Sequence, residues 1–205
     1  DEFWVNASEP LASARSVWFH EYVHTRQSFA LAPGMAWFRE ASAEYYAALL
    51  SESRERAAAG ALSPARFGPP SNATLTDHAT WAGGRTPRRR GARVLAALDR
   101  RIRRATDGHQ SLEDVFRRLN HHDGRVTYEA FVQAVNGVAG TPMDGWLDRH
   151  VAGSAPVGDS AREVRAGGTV GGAGEVLQVF LPVSFALSLL ASFPLYGLLR
   201  RLDAR

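Results

Sequence analysis

Two histidines four residues apart, with a glutamate directly after the first, make His20-Glu21-Tyr22-Val23-His24 the stretch of this chain best equipped for chemistry. On an α-helix, residues four apart lie about 40° apart around the axis, so both imidazoles leave the same face. Two neutral imidazoles on one face form half of a tetrahedral zinc site. Glu21, beside the first, can then take a proton from a zinc-bound water. The pattern is short enough to arise by chance, so its meaning rests on the residues downstream of it. Glu40 and Glu44, again four apart, are flanked by Trp37, Phe38, Tyr45 and Tyr46. A carboxylate among aromatic rings needs a cation, either Arg39 or a metal ion. With the histidine pair just upstream, the metal reading outweighs the ion pair. The chain has no cysteine, so any metal must be held by histidine and carboxylate.

The segment His20 to His24, followed by Trp37-Phe38-Arg39-Glu40-Ala41-Ser42-Ala43-Glu44-Tyr45, resembles the gluzincin metallopeptidases. The resemblance implies Zn2+ held by His20, His24 and Glu40, with Glu21 as the general base. It also implies that Glu44, in the position of the acid that follows the ligand glutamate in thermolysin, orients a zinc-bound histidine. The aminopeptidase-N family carries a comparable tryptophan-to-tyrosine segment around its ligand. One departure is the loop: fifteen residues separate His24 from Glu40, fewer than in either family, which alters the cleft there. Further on, residues 91–119, 127–140 and 143–157 are similar to the helical end of glycyl-aminopeptidase-like proteins, so the likeness spans roughly residues 13–157. In those enzymes a tyrosine three residues before the glycine that opens this helix stabilises the tetrahedral intermediate. Counting back from Gly91 gives Arg88. Either Arg88 supplies the positive charge, or another donor does so, or the chain is catalytically impaired.

Several elements must position these groups. Ser13 is suited to cap the first helix, whose apolar side is Val17, Trp18, Phe19 and Val23. Pro33-Gly34 reads as a turn, and a second helix runs over 35–59 with Gly60 as its stop. The Gly-, Pro- and Arg-rich residues 60–92 read as a long surface loop with one short helix near 76–81. An amphipathic helix over 93–106 sets Val94, Leu95, Leu98 and Ile102 against a solvated arginine face, and Gly108 ends it. Three short helices come next over 112–119, 128–138 and 143–151, opened by Ser111, Thr127 and Thr141-Pro142. A calcium loop around Gly124 fails, because its first and twelfth positions are Leu119 and Ala130; His121 and His122 read as exposed turn residues.

The charge is lopsided. The formal net charge of the 205 residues is +3, yet residues 85–104 hold nine arginines against Asp99 alone. Such a stripe could contact phosphate, but no base-stacking aromatics interleave with it, so no nucleic-acid partner is expected. The chain opens on Asp1 with an extended or strand-like entry over 1–12, as in a fragment or processed product. A glycine-rich linker over 153–175 leads into 24 uncharged residues, 176–199. As a helix these reach about 36 Å against a hydrocarbon core of about 30 Å. Arg200, Arg201 and Arg205 come directly after and place the C-terminus in the cytoplasm.

The expected fold is therefore mainly α. Residues 1–152 form the helical catalytic half of a thermolysin-like metallopeptidase domain, 153–175 a flexible linker, 176–199 a transmembrane helix in contact with lipid, and 200–205 a cytoplasmic tail. The expected function is a membrane-anchored zinc peptidase acting outside the membrane on peptides or proteins, with aminopeptidase action implied by the resemblance. The alternative is a catalytically impaired, zinc-containing ectodomain that binds peptides or serves as a scaffold.

Overall fold

The helices Val17–Thr25 (α1), Ala36–Leu50 (α2) and Arg85–Ala105 (α3) place the candidate ligands. Leu112–Asn120 (α4), Tyr128–Ala139 (α5) and the single turn Asp144–Leu147 (α6) close the core against them. The computed structural model describes residues 16–52, 61–77 and 85–158, all within one compact unit. The architecture is mainly α. The expected entry strand over 1–12, most of the linker, the apolar helix over 176–199 and the tail lie outside the described residues. Among the described residues, no helix is long and apolar enough to cross a membrane.

α1 begins later than Ser13. Its cap is Ser16, whose ψ of 114° is non-helical and whose hydroxyl accepts from the Phe19 N–H at 3.4 Å. The short connection from α1 to α2 is tied down from a distance. Ser28 N–H donates to Asn120 Oδ1 and Asn120 Nδ2 donates to the Arg26 carbonyl, each at 3.0 Å. The two-residue strand Ala30–Leu31 (β1) then pairs in parallel with Arg125–Val126 (β2), with Ala30 opposite Arg125. A 3-10 turn at Pro33–Met35, where the sequence reads a turn, leads into α2.

α2 is the core's centre. Trp37 and Phe38 are fully buried, and their rings lie 5.7 and 5.3 Å from that of Phe131 on α5. The helix ends at Leu50, well short of Gly60. The Ser51 hydroxyl and N–H both donate to the Ala47 carbonyl, at 2.7 and 3.0 Å, and so draw the last turn closed.

α3 corrects the sequence reading twice. It starts at Arg85, inside the stretch that composition assigns to a loop, and Pro87 falls in its first turn, where a missing N–H disrupts no helical bond. Gly91 lies within the helix because α2 passes against it: a Cβ there would stand 2.5 Å from the Ala41 Cβ. Gly91→Ala should therefore lower stability by about 1–3 kcal/mol, the usual cost of overpacking. An unchanged denaturant midpoint for this variant would mean that the helices have room to separate.

The arginine face is also not uniformly solvated. Arg90 and Arg93 are 4% and 2% exposed. Arg90 donates to the carbonyls of Ser71, His150 and Ala155; Arg93 donates to those of Pro64, Gly68 and Val157, the last at 2.8 Å. They tie the irregular segments 61–75 and 150–157 to α3, because those segments leave carbonyls without regular partners. Asp99 has a comparable role. It is 1% exposed and accepts from Tyr45 Oη at 2.9 Å, Arg103 Nε at 3.0 Å and Leu112 N–H at 2.7 Å. One carboxylate thus joins α2, α3 and the start of α4.

The later caps obey the sequence where they are local. Ser111 and Asp114 form a capping box on α4, and Thr127 caps α5. His121 and His122 are exposed, as expected. The last helix departs from expectation: Met143, not Thr141, is its N-cap residue, and its N–H donates to Asn136 Oδ1 at 2.7 Å. A side chain from α5 takes over the capping role. α6 then loosens into a π turn at Asp148–Ala152, closed by Gly153 N–H on the Asp148 carbonyl.

Candidate metal centre

α1 presents His20 and His24 to α2, and Glu40 meets both. The two Nε2 atoms are 3.2 Å apart; Glu40 Oε2 lies 3.6 Å from that of His20, and Oε1 lies 3.6 Å from that of His24. Donor atoms about 2.0–2.1 Å from a tetrahedral ion stand about 3.3 Å apart; here the two carboxylate contacts end on different oxygens, and one donor atom from each residue lies within 4.8 Å of the others. Among the described residues these three form the one group of histidine and acidic side chains arranged to hold a metal ion. Their side chains are 14%, 22% and 26% exposed, which leaves a face of the triangle accessible.

The donor set is charged for a cation. The His20 imidazole beside it holds Glu40 below the usual carboxylate range, with Arg88 and His24 acting in the same direction, against the opposing effect of partial burial. The sequence alternative of Arg39 as the cation partner is not what forms. Arg39 donates to the Phe29 carbonyl at 3.4 Å, while Arg88 Nε stands 3.1 Å from Glu40 Oε2. Glu44 approaches the far side of His20, with Oε2 3.8 Å from Nδ1, beyond direct hydrogen-bond reach. Glu21 and Arg88 both line a cavity of about 360 Å³ that also opens on His20.

Sequence reasoning missed Gln27. Its Oε1 lies 2.9 Å from His24 Nδ1, while its Nε2 donates to the Arg39 carbonyl at 2.8 Å and to Ser42 Oγ at 2.9 Å. A carbonyl can only accept, so the amide orientation is set, and Oε1 must face the imidazole. A neutral His24 then carries its proton on Nδ1 and turns the Nε2 lone pair toward the triangle. Gln27 also ties α1 to the helix that bears Glu40. The signal was present in the sequence, since Gln27 is three residues after His24, but an amide just past a helix's last turn usually meets water.

Comparisons with protein-family models, with curated proteins and with solved structures find no match to this chain.

Proposed function

We propose that the chain is a zinc-dependent peptidase of gluzincin type, with aminopeptidase action implied by its motif resemblance and with the thermolysin-like helical half as its catalytic domain. The observation that carries this is the triangle of His20, His24 and Glu40, with Glu21 facing the adjoining cavity. Two imidazoles and one carboxylate, with no thiolate, are a donor set that suits zinc and resembles that of catalytic rather than structural sites. His20, His24 and Glu40 would hold the ion, which would supply Lewis-acid chemistry to a peptide carbonyl and to water. Glu21 takes the proton of the attacking water on its carboxylate and returns it to the leaving amine. Gln27 holds His24 in the tautomer that faces the site, and Glu44 flanks the other imidazole. Arg88 sets its guanidinium against Glu40 at the cavity wall.

That last contact favours a second reading. A guanidinium whose charge is partly matched by Glu40 through Nε stabilises a tetrahedral intermediate less, and a zinc-containing ectodomain that binds peptides without turnover would have this arrangement. Zinc content after dialysis, together with hydrolysis of a peptide library, separates the two. Zinc with cleavage supports the peptidase, zinc without cleavage the scaffold, and a chain that binds no zinc is neither.

The apolar stretch 176–199 supports a single-pass anchor with the site outside and the C-terminus cytoplasmic. A chain ending at residue 175 should leave the membrane fraction; one that stays there removes the anchor. For Gln27, the expectation is that Gln27→Ala weakens zinc binding by about 10–100-fold, the usual cost of losing the group that orients a ligand histidine. Chelator competition measures this, and an unchanged affinity would reduce Gln27 to a tie between helices.

A further inference from the structure

The cavity beside the triangle is bordered by three arginines, Arg66, Arg88 and Arg89, and by the apolar side chains of Val17 and Phe67. The three cations are not equivalent. Arg66 Nη1 is 2.5 Å from Glu52 Oε1, so its charge is matched. Arg88 gives Nε to Glu40, is 48% exposed, and has no other partner among the described residues. Arg89 has no hydrogen-bond or ion-pair partner among the described residues, although it is only partly exposed and lines the cavity. Two acids also line this space, but each faces another task. Glu44 lies against His20, and Glu21 lines the cavity as the group to which the peptidase reading gives the proton transfer. Arg89 thus brings to the cavity a guanidinium without a partner among the described residues, and Arg88, directly before it on α3, engages Glu40 through Nε alone.

We propose that Arg88 and Arg89 form a carboxylate-binding subsite, and that the ligands of this cavity are peptides with a carboxylate close to the bond presented to the triangle. This rests on the peptidase reading and names the substrate class of that same site. A guanidinium matches a carboxylate through two parallel N–H donors, a geometry an ammonium lacks. Arg88 Nε stands 3.1 Å from Glu40, and one extended residue spans about 3.3–3.6 Å. The carboxylate thus falls within about two residues of the triangle. Its source is an Asp or Glu side chain or the peptide's own C-terminus, and both present the same group. Val17 and Phe67 give the neighbouring side chain an apolar surface.

The test uses the full zinc-loaded chain with Glu21→Gln, chosen because the peptidase reading expects it to cleave peptide about 10²–10⁴-fold more slowly. Three peptides of one sequence are titrated by calorimetry: neutral with an amidated C-terminus, the same with a free C-terminus, and the amidated form with Gln replaced by Glu near the centre. At least one carboxylate peptide should bind about fivefold or more tighter than the neutral one, the upper range for a part-exposed charge pair. The tighter of the two identifies the source. Adding Arg89→Ala should bring that affinity down to that of the neutral peptide, and Arg89→Lys should restore part of it. Equal affinity for all three peptides, or an advantage that survives Arg89→Ala, overturns the subsite and leaves the peptidase reading in place. If none of the peptides binds to a zinc-loaded chain, the peptidase reading and the subsite are both lost.

Discussion

His24→Ala should bind zinc more than about 100-fold more weakly than the wild-type chain, beyond what loss of an orienting group costs. The substitution removes one of the three donor groups that meet here, leaving His20 and Glu40 as two donors for an ion that needs three protein ligands and an open position. The fold should survive. His24 is 22% exposed and near the end of α1, and the contacts it leaves behind are with the polar side chains of Gln27, His20 and Glu40. Glu40→Gln tests the same site through its charge. It keeps the side chain's shape and removes the charge that His20, Arg88 and His24 all favour. Zinc affinity should fall by a similar factor, and Arg88 loses its partner. Chelator competition at constant pH reads both effects, with circular dichroism on the same samples reporting helix content. Wild-type affinity in both variants, with helix content unchanged, would mean that the triangle is an ordinary cluster of surface polar groups.

Glu21→Gln should separate binding from chemistry. An amide in place of the carboxylate keeps the volume and the helix but cannot take a proton, so peptide hydrolysis should fall by about 10²–10⁴-fold, the usual contribution of a general base. Zinc content should remain that of the wild type, because Glu21 does not contribute to the triangle. The pair of readings is what discriminates. Lost activity with retained zinc assigns the proton transfer to Glu21, whereas equal activity in both chains excludes it. If wild type and variant are equally inert while both hold zinc, the scaffold reading stands.

The spacing of the histidines and glutamates was legible because it is local. Four-residue spacing on a helix puts His20 and His24 on one face whatever packs against them, and Glu40 and Glu44 obey the same rule on α2. The caps at Ser111 and Thr127 were legible for the same reason, since each hydroxyl serves an N–H two or three residues away. Misreadings arose where a distant partner decided. Gly91 reads as part of the loop over 60–92 until the helix is seen to begin at Arg85 with Ala41 packed against the glycine. Arg90 and Arg93 look solvated until the carbonyls of segments 61–75 and 150–157 reach them. Thr141 matches a capping pattern, yet Asn136 on the preceding helix supplies the acceptor.

The sequence by itself therefore determined a mainly helical chain and the four residues of α1 and α2 with the chemistry for a metal site, because helical periodicity and side-chain type are local properties. Only the tertiary structure decided that Glu40 meets both imidazoles at 3.6 Å, that Arg88 rather than Arg39 is its cation, and that Gln27 sets the tautomer of His24. Each of those depends on how α1 and α3 lie on α2. That is set by packing among distant residues, by a glycine with no room for a methyl group and by an asparagine that ties down the loop after α1.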